Sequence, residues 1–459
     1  MSAVVEHKVE VLHGIPLVAG ADVRTVIFGG RDGVVTRARF QRQVHALAAL
    51  LPEASHAINL CEDRHRFLLA FCAAAVRGQP TLLPPSHAPD AIAEIQRRHP
   101  QACCLGETGQ PAIAGRYWQL PDPLPECDGP APRVDPDALA ALGFTSGSSG
   151  QPAIHPKRWR AFQAGTAQNL AALSHLWSSS PTVHVVATVP PQHMYGMELS
   201  VLLPLLSGIA VHAGRPFFPL DIVQALHDTP APRLLVTTPV HLRALVEACA
   251  ADPRIVPPPL AGIVSATAPL PAELAATAEA RLGCEVRELF GSTETCVVAS
   301  RRSATETAWT PYPGVRLDAH PDGCIVHAPQ LAEPVALADL VDVLADGRFL
   351  LRGRNADLLE IAGKRASLGD LTRKLQAIPG VEDGVVFQLD ASAGHGVRRI
   401  AALAVAPSLD EAAILAALRR AVDPVFLPRR LRCVSALPRN ATGKLPRAAL
   451  LALLYAASG

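Results

Sequence analysis

The sequence has no cysteines in CxxC spacing, no long unbroken apolar run, no surplus of either charge and no internal repeat. Ten dispersed cysteines, with only Cys103 and Cys104 adjacent, read as reduced and buried thiols, as expected of a cytoplasmic protein. The longest apolar stretch, residues 201–214, is interrupted by Pro204, Ser207 and His212 and is too short to span a bilayer. Near the N-terminus, Glu6, His7, Lys8 and Glu10 break up the apolar residues, which does not fit a secretory signal. Lysine and arginine total 42 against 41 acidic residues, and they are scattered. Without a basic stripe, a nucleic-acid partner is excluded from the expectations. The Walker A pattern GxxxxGK[ST] and the dinucleotide fingerprint are also missing.

What is present is a chain of 459 residues, 49% of them hydrophobic, long enough for two or more domains with sizeable cores. From Ala57 onward strand-like and helix-like segments alternate. Ala57-Ile58-Asn59-Leu60 is a short apolar run; Glu62 and Asp63 then open a helical pattern through Phe67, Leu68, Phe71 and Ala75, which Gly78 and Pro80 stop. Thr81-Leu82-Leu83, residues 183–189 and residues 233–237 are further strand candidates, the last followed by Pro239 and a helix through Leu242 and Leu245. This alternation predicts an α/β protein with largely parallel sheets. Residues 119–136, rich in proline and acid, read as an exposed connection. A second break falls at Arg352-Gly353-Arg354-Asn355, with about a hundred residues beyond it, enough for a small separate domain.

The segment Gly143-Phe144-Thr145-Ser146-Gly147-Ser148-Ser149-Gly150 carries the first chemical signal. Small residues let backbone N–H groups cradle phosphate oxygens, and the hydroxyls add donors. Taken alone, such a cluster is more often a flexible surface loop.

Thr145 to Gly150 resembles the phosphate loop of the adenylate-forming enzymes, the superfamily of acyl-CoA synthetases, luciferases and peptide-synthetase adenylation domains. Further motifs follow in that family's order. Pro190-Pro191-Gln192-His193-Met194-Tyr195-Gly196 resembles its Pro-x-x-His-x-x-Gly segment, which implies that His193, Tyr195 and Gly196 lie beside an acyl pocket. Ser265-Ala266-Thr267-Ala268-Pro269-Leu270 is similar to its Ser-Gly-Gly-Ala-Pro-Leu turn near the adenine. Either segment alone would be an ordinary loop. Phe290-Gly291-Ser292-Thr293-Glu294 resembles Tyr-Gly-x-Thr-Glu. The resemblance implies Phe290 on the adenine, Thr293 at the α-phosphate and Glu294 holding Mg²⁺, a hard cation that favours carboxylate plus phosphate oxygens. Asp339 and Arg354 occupy the positions that reach the ribose. Pro438-Arg439-Asn440-Ala441-Thr442-Gly443-Lys444-Leu445-Pro446-Arg447 resembles the C-terminal signature, in which Lys444 is the catalytic lysine.

The resemblance implies a large domain over residues 1–352 with mostly parallel sheets flanked by helices. It implies a hinge over residues 353–357 at Ala356, and a small, mobile α+β domain over residues 358–459. It implies ATP and Mg²⁺ as cofactors and two half-reactions: acyl-AMP formation with pyrophosphate release, then attack by a thiol that reaches the acyl carbon along a tunnel at Gly363. Three departures stand out. Leucine and alanine precede Asp339 in place of Thr-Gly. Alanine holds the hinge position. The phosphate-loop lysine is displaced four positions to Lys157, whose reach is left open.

The segment through His193 holds no carboxylate suited to a substrate ammonium, and the direction of the nearest acid, Glu198, is left open. A substrate without an amino group is therefore expected. Gly150-Gln151-Pro152 followed by His155-Pro156-Lys157-Arg158-Trp159 is similar to the ligases of aryl-polyene and xanthomonadin-type pigment pathways. That narrower resemblance implies an aromatic acid such as a hydroxybenzoate and an acyl carrier protein as acceptor. No carrier domain is fused to the sequence, so the thiol is expected on a separate carrier protein or on free CoA. The alternatives are an aryl- or fatty-acyl-CoA ligase and a catalytically silent nucleotide or acyl sensor. A GxSxG hydrolase is excluded because no such elbow surrounds the loop serines.

Overall fold

The computed structural model describes residues 14–30, 32–84, 87, 89–107, 115–145, 153–180, 182–320, 323–354, 358–361, 364–389, 400–422, 424–440 and 443–456. The chain divides into two compact units. The first holds residues 1–237, 241–265 and 277–297; the second holds residues 238–240, 266–276 and 298–459.

The first unit is built on two sheets. One has six strands in the order Ala153–Arg158, Leu139–Thr145, Thr81–Leu83, Ala57–Asn59, Cys103–Gly106, Tyr117–Gln119. All neighbours run parallel except the first pair, which is antiparallel. In the other sheet, seven neighbouring strands belong to this unit, in the order Val286–Ser292, Gly262–Ser265, Arg233–Thr237, His184–Ala187, Ala210–His212, Thr25–Phe28, Val35–Thr36. These are parallel up to the last pair. The expected α/β fold with mostly parallel sheets is observed, and its central strands are buried along nearly their whole length, which is why they read as continuous apolar runs.

Local chemistry explains the boundaries. Helix Arg64–Val76 starts where the Asp63 carboxylate accepts the Arg66 N–H, so the acidic residue anticipated at the helix start is its cap. Arg64 itself is fully buried. Its guanidinium donates to Val189 O at 2.8 Å and Gly214 O at 3.0 Å, with longer bonds to Ala187 O and His212 O. One cation thus ties together the ends of two parallel strands and anchors the chain just before Pro190. Burial, with Arg215 nearby, lowers its pKa to about 9, so it stays charged at neutral pH.

The second unit carries smaller sheets. Arg316–His320, Gly323–His327 and Val335–Ala336 form an antiparallel trio, and Asp339–Val343 pairs with Phe349–Arg354. Toward the C-terminus, Asp383–Gln388, Ile400–Val405 and Arg430–Cys433 form a sheet with one antiparallel and one parallel pair. Its alternation is two-sided. Val386, Ala402, Ala404 and Leu431 pack with Leu371, Leu375, Ile414 and Leu418, while Phe387, Ala401 and Leu403 pack with Leu450 and Leu454. This is the anticipated α+β arrangement. All ten cysteines are free and most are buried. Among the described residues, no helix is long and apolar enough to cross a membrane.

Replacing Arg64 by Met strands four backbone carbonyls in the core. The expected loss is about 3 kcal/mol, read as a lower urea midpoint for unfolding of the full chain. An unchanged midpoint would mean water replaces the guanidinium.

Candidate functional site

In the first unit the motifs meet at the carboxyl ends of parallel strands, the edge where open α/β sheets bind ligands. Strand Leu139–Thr145 ends at Thr145, opposite Ala153 across the antiparallel ladder. The anticipated phosphate-loop residues Ser146, Gly147, Ser148, Ser149 and Gly150 lie between these positions and outside the described residues. Gly143 is where that strand meets the next motif. A Cβ there would stand 2.6 Å from Thr293 Cγ2 and 3.6 Å from Met194 Cε, so only glycine fits. The strand feeding the loop thereby lies against both the Phe290–Glu294 motif and the segment holding His193. From the sequence, Gly143 is grouped with the phosphate-cradling segment and given no role of its own.

Phe290 and Gly291 close strand Val286–Ser292, with Phe290 half-buried. A Cβ on Gly291 would stand 2.3 Å from Cys296 O, so glycine is required where the returning chain crosses. Ser292 and Thr295 exchange hydrogen bonds at 3.1–3.2 Å and brace the turn that presents Thr293 and Glu294. Cys296 then takes a left-handed backbone, φ 61°. The half-buried Glu294 carboxylate lies 3.5 Å from His155 Nε2. Burial pushes its pKa up. Its hydrogen bonds to backbone and Ser292, with His155 and Lys157 adding positive potential, outweigh that push and bring it below the usual carboxylate range. Glu294 is therefore an ionised oxygen donor at neutral pH.

Lys157, whose reach was left open, is buried, and its Nζ donates to Glu294 O at 2.7 Å. Glu198 is also buried. It accepts the Val297 N–H on both carboxylate oxygens, at 3.0 and 3.2 Å, and Asn169 Nδ2 at 3.4 Å. Burial raises its pKa to about 7 against the opposing pull of Val297, Lys157 and Asn169.

His193 sits half-buried at the N-cap of the short helix Met194–Met197. The buried Tyr195 donates its hydroxyl to Val264 O at 2.9 Å, so its polar end serves the adjacent strand. A Cβ on Gly196 would stand 2.0 Å from Pro190 O, which explains the glycine by backbone crossing. The helix continues through a π-turn over Glu198–Leu202, an irregularity frequent at functional sites.

The second unit carries the remaining candidates. Ala266, Thr267 and Ala268 form the turn after strand Gly262–Ser265, and Thr267 has φ 80°. A β-branched residue in that region is strained. Asp339 and Arg354 face each other as directly paired residues of one antiparallel ladder. Such partners lie about 5 Å apart at their Cβ atoms, so two positions fifteen apart in sequence share one side of a hairpin. Nothing is described of the Arg354 side chain, and Ala356 and Gly363 lie outside the described residues.

Lys444 is exposed on a loop pinned from both ends. Asn440 Oδ1 accepts the Lys444 N–H at 2.9 Å, and Asn440 N donates to Lys444 O at 2.8 Å. Arg439 holds the Asp383 carboxylate with bonds of 2.8–3.1 Å and donates to Gly443 O at 3.0 Å. Arg439, which the sequence reading treated only as signature, is thus the anchor of the lysine loop. Gly443 is buried at φ 79°, where a Cβ would lie 3.4 Å from Val240 Cγ2 and 3.9 Å from the Ala268 Cβ. The loop preceding Lys444 therefore packs on the turn assigned to the adenine.

Strain at Thr267 is directly testable. Thr267→Gly removes a left-handed β-branched residue and is expected to raise stability by about 1 kcal/mol after glycine's entropy cost, seen as a higher urea midpoint. A lower midpoint would show that the threonine side chain repays its backbone.

Residues 22–322 match the family described as AMP-binding enzyme. The chain is 31% identical over 312 residues to a 4-coumarate–CoA ligase of Rhodobacter capsulatus, covering 67% of this chain and 75% of that protein. Its fold is similar to ATP-bound MatB from Rhodopseudomonas palustris, with a TM-score of 0.77, 17% identity and coverage of 94% and 95% of the two chains. It is likewise similar to o-succinylbenzoate CoA synthetase from Bacillus subtilis in complex with its acyl-adenylate intermediate, with a TM-score of 0.77, 17% identity and coverage of 93% and 96%. With the motifs gathered as described and more than half of the chain matched, the chain belongs to the AMP-binding enzyme family and is an ATP-dependent, adenylate-forming acid–thiol ligase.

Proposed function

We propose that this ligase activates an aromatic carboxylic acid, such as a hydroxybenzoate, and passes it to the phosphopantetheine thiol of an acyl carrier protein. The observation that carries the site assignment is the approach of Gly143 to Thr293 and Met194, which gathers phosphate-loop strand, metal-binding turn and acyl segment in one place. The lack of an amino group on the substrate follows from Glu198. The acid nearest His193 in the sequence is buried and spent inside the fold on Val297 and Asn169, so it is not offered to a substrate ammonium. The aromatic acid and the carrier rest on the pigment-ligase resemblance of residues 150–159. A second reading, transfer to free CoA, is favoured by the name of the Rhodobacter relative.

In the first half-reaction a carboxylate oxygen attacks the α-phosphorus of ATP and the bond to pyrophosphate breaks. In the second, a thiolate attacks the acyl carbon and AMP leaves. Phe290 offers a half-buried ring to the adenine, and Asp339 and Arg354 flank the ribose. Thr293 meets the α-phosphate beside the phosphate loop at residues 145–150. Lys444 offers an exposed ammonium to the carboxylate and the charge growing on the transferred phosphoryl group. Mg²⁺ fits the donor set. Glu294 is an ionised, half-exposed carboxylate, and no cluster of three metal-ligating side chains occurs among the described residues, so phosphate oxygens would complete the shell. When bound, the ion neutralises phosphate charge. The domain reading is retained as part of the proposal: residues 1–352 hold ATP and acid, residues 353–357 with Ala356 are the hinge, and residues 358–459 swing to bring first Lys444 and then the Gly363 loop to the acyl group.

Two variants test the chemistry. Lys444→Ala is expected to lower acyl-AMP formation by about a hundredfold or more while largely sparing thiol transfer from preformed acyl-AMP. Equal losses in both half-reactions would contradict the swing. Glu294→Gln is expected to weaken MgATP binding by about tenfold, or 1.4 kcal/mol, with Mg-free ATP little changed; an unaltered metal dependence removes Glu294 from the site. Pyrophosphate release over a panel of aromatic and aliphatic acids, with CoA and holo-carrier protein in competition, decides substrate and acceptor. No release with any acid would favour a silent sensor.

A further inference from the structure

The strand after the phosphate loop, Ala153–Arg158, turns His155 and Lys157 inward while their neighbours face solvent. Lys157 is only 5% exposed and Glu198 only 4%. Removing a lysine and a glutamate from water is costly, and an apolar replacement of the two is often as stable. Their arrangement indicates what offsets that cost. The Lys157 ammonium donates to Glu294 O at 2.7 Å. Three residues after Glu294, the Val297 N–H is held by both oxygens of Glu198. Asn169 fixes Glu198 in turn, at 3.4 Å, and is itself tied to Gly165 O at 3.0 Å. Two buried polar side chains from separate elements therefore grip the two ends of a four-residue turn. That turn needs gripping. It contains the left-handed Cys296, and its return path leaves no room for a Cβ at Gly291. Strained backbone of this kind persists only where its surroundings over-determine it.

We propose that Lys157 and Glu198 are positioning residues for the adenylation step, a buried pair of polar side chains that holds the Thr293–Glu294 turn in register for MgATP. Lys157 acts through the Glu294 backbone and not on the phosphates, so in this chain the displaced lysine works from beneath the site. The inference rests on the reading of Glu294 as the metal-binding carboxylate.

The test is made on the full-length chain. Calorimetry measures the affinity for ATP with excess Mg²⁺ and for ATP in EDTA, and urea unfolding is followed in parallel. Lys157→Met is expected to shrink the Mg²⁺-dependent gain in ATP affinity by about tenfold and to change Mg-free ATP binding by less than about threefold. Lys157→Arg should restore part of the gain. Glu198→Gln should lower it in the same direction. The double variant Lys157→Met/Glu198→Gln removes both buried ionisable groups, so its urea midpoint should return toward that of the parent while the Mg²⁺-dependent gain stays low. If Lys157→Met does not fold, the double variant carries the test. A Mg²⁺-dependent gain left intact in these variants, while Glu294→Gln loses it, overturns the positioning role alone. Recovery of both midpoint and gain in the double variant does the same. A gain left intact in Glu294→Gln overturns the reading of Glu294 on which the inference rests.

Discussion

The first unit's site depends on one corner, the seven residues from Gly291 to Val297, and on the buried polar side chains that hold it closed. The chain arrives along a parallel strand, crosses its own return path at Gly291 and leaves through a left-handed cysteine. Left to itself, such a corner would relax. Lys157 holds it at the Glu294 carbonyl and Glu198 holds it at the Val297 amide, and neither side chain reaches solvent. The direction in which Glu294 points is thus set from below by groups that need never touch a nucleotide. The desolvation cost of two interior ionisable side chains is the counterpart of that directional control.

Among the described residues, the only non-glycine positions with positive φ are Thr267 and Cys296. Both stand on turns marked by the adenylate-forming motifs. Thr267 takes a left-handed backbone that favours glycine, so the shape of its turn is kept at the expense of local strain. Gly143 and Gly196 work differently. Their freedom lies in close approach, to Thr293 and to Pro190 O respectively. Without those approaches the motifs would be separate loops and not one site.

In the second unit, preorganisation lies in the loop and not in the lysine head. Asn440 and Arg439 fix the backbone around Lys444 through bonds of 2.8–3.1 Å, while the side chain stays exposed. A rigid base with an exposed ammonium suits a group that must meet developing charge at a defined point. The pairing of Asp339 with Arg354 follows the same logic. A two-stranded ladder places them as neighbours without further devices.

Much of the fold was legible because it follows local rules. Apolar runs at 57–60, 81–83 and 233–237 are strands, Asp63 is a cap, and the stretch after Pro239 is a helix, since periodicity and capping act over a few residues. The motif order identified the family because phosphate, adenine and ribose each demand particular residue types at particular spacings. What the sequence could not specify was direction. Lys157, Glu198 and Tyr195 all carry polar ends that could have faced the substrates, and all three face backbone within the core. Their directions depend on which backbone carbonyl or amide lies opposite, and that partner is 69 to 137 residues away in the chain. Composition and spacing therefore determined the chemistry this protein performs. Long-range packing alone decided which of its charged residues perform that chemistry and which hold the others in place, because a hydrogen bond between distant segments exists only once the chain has folded.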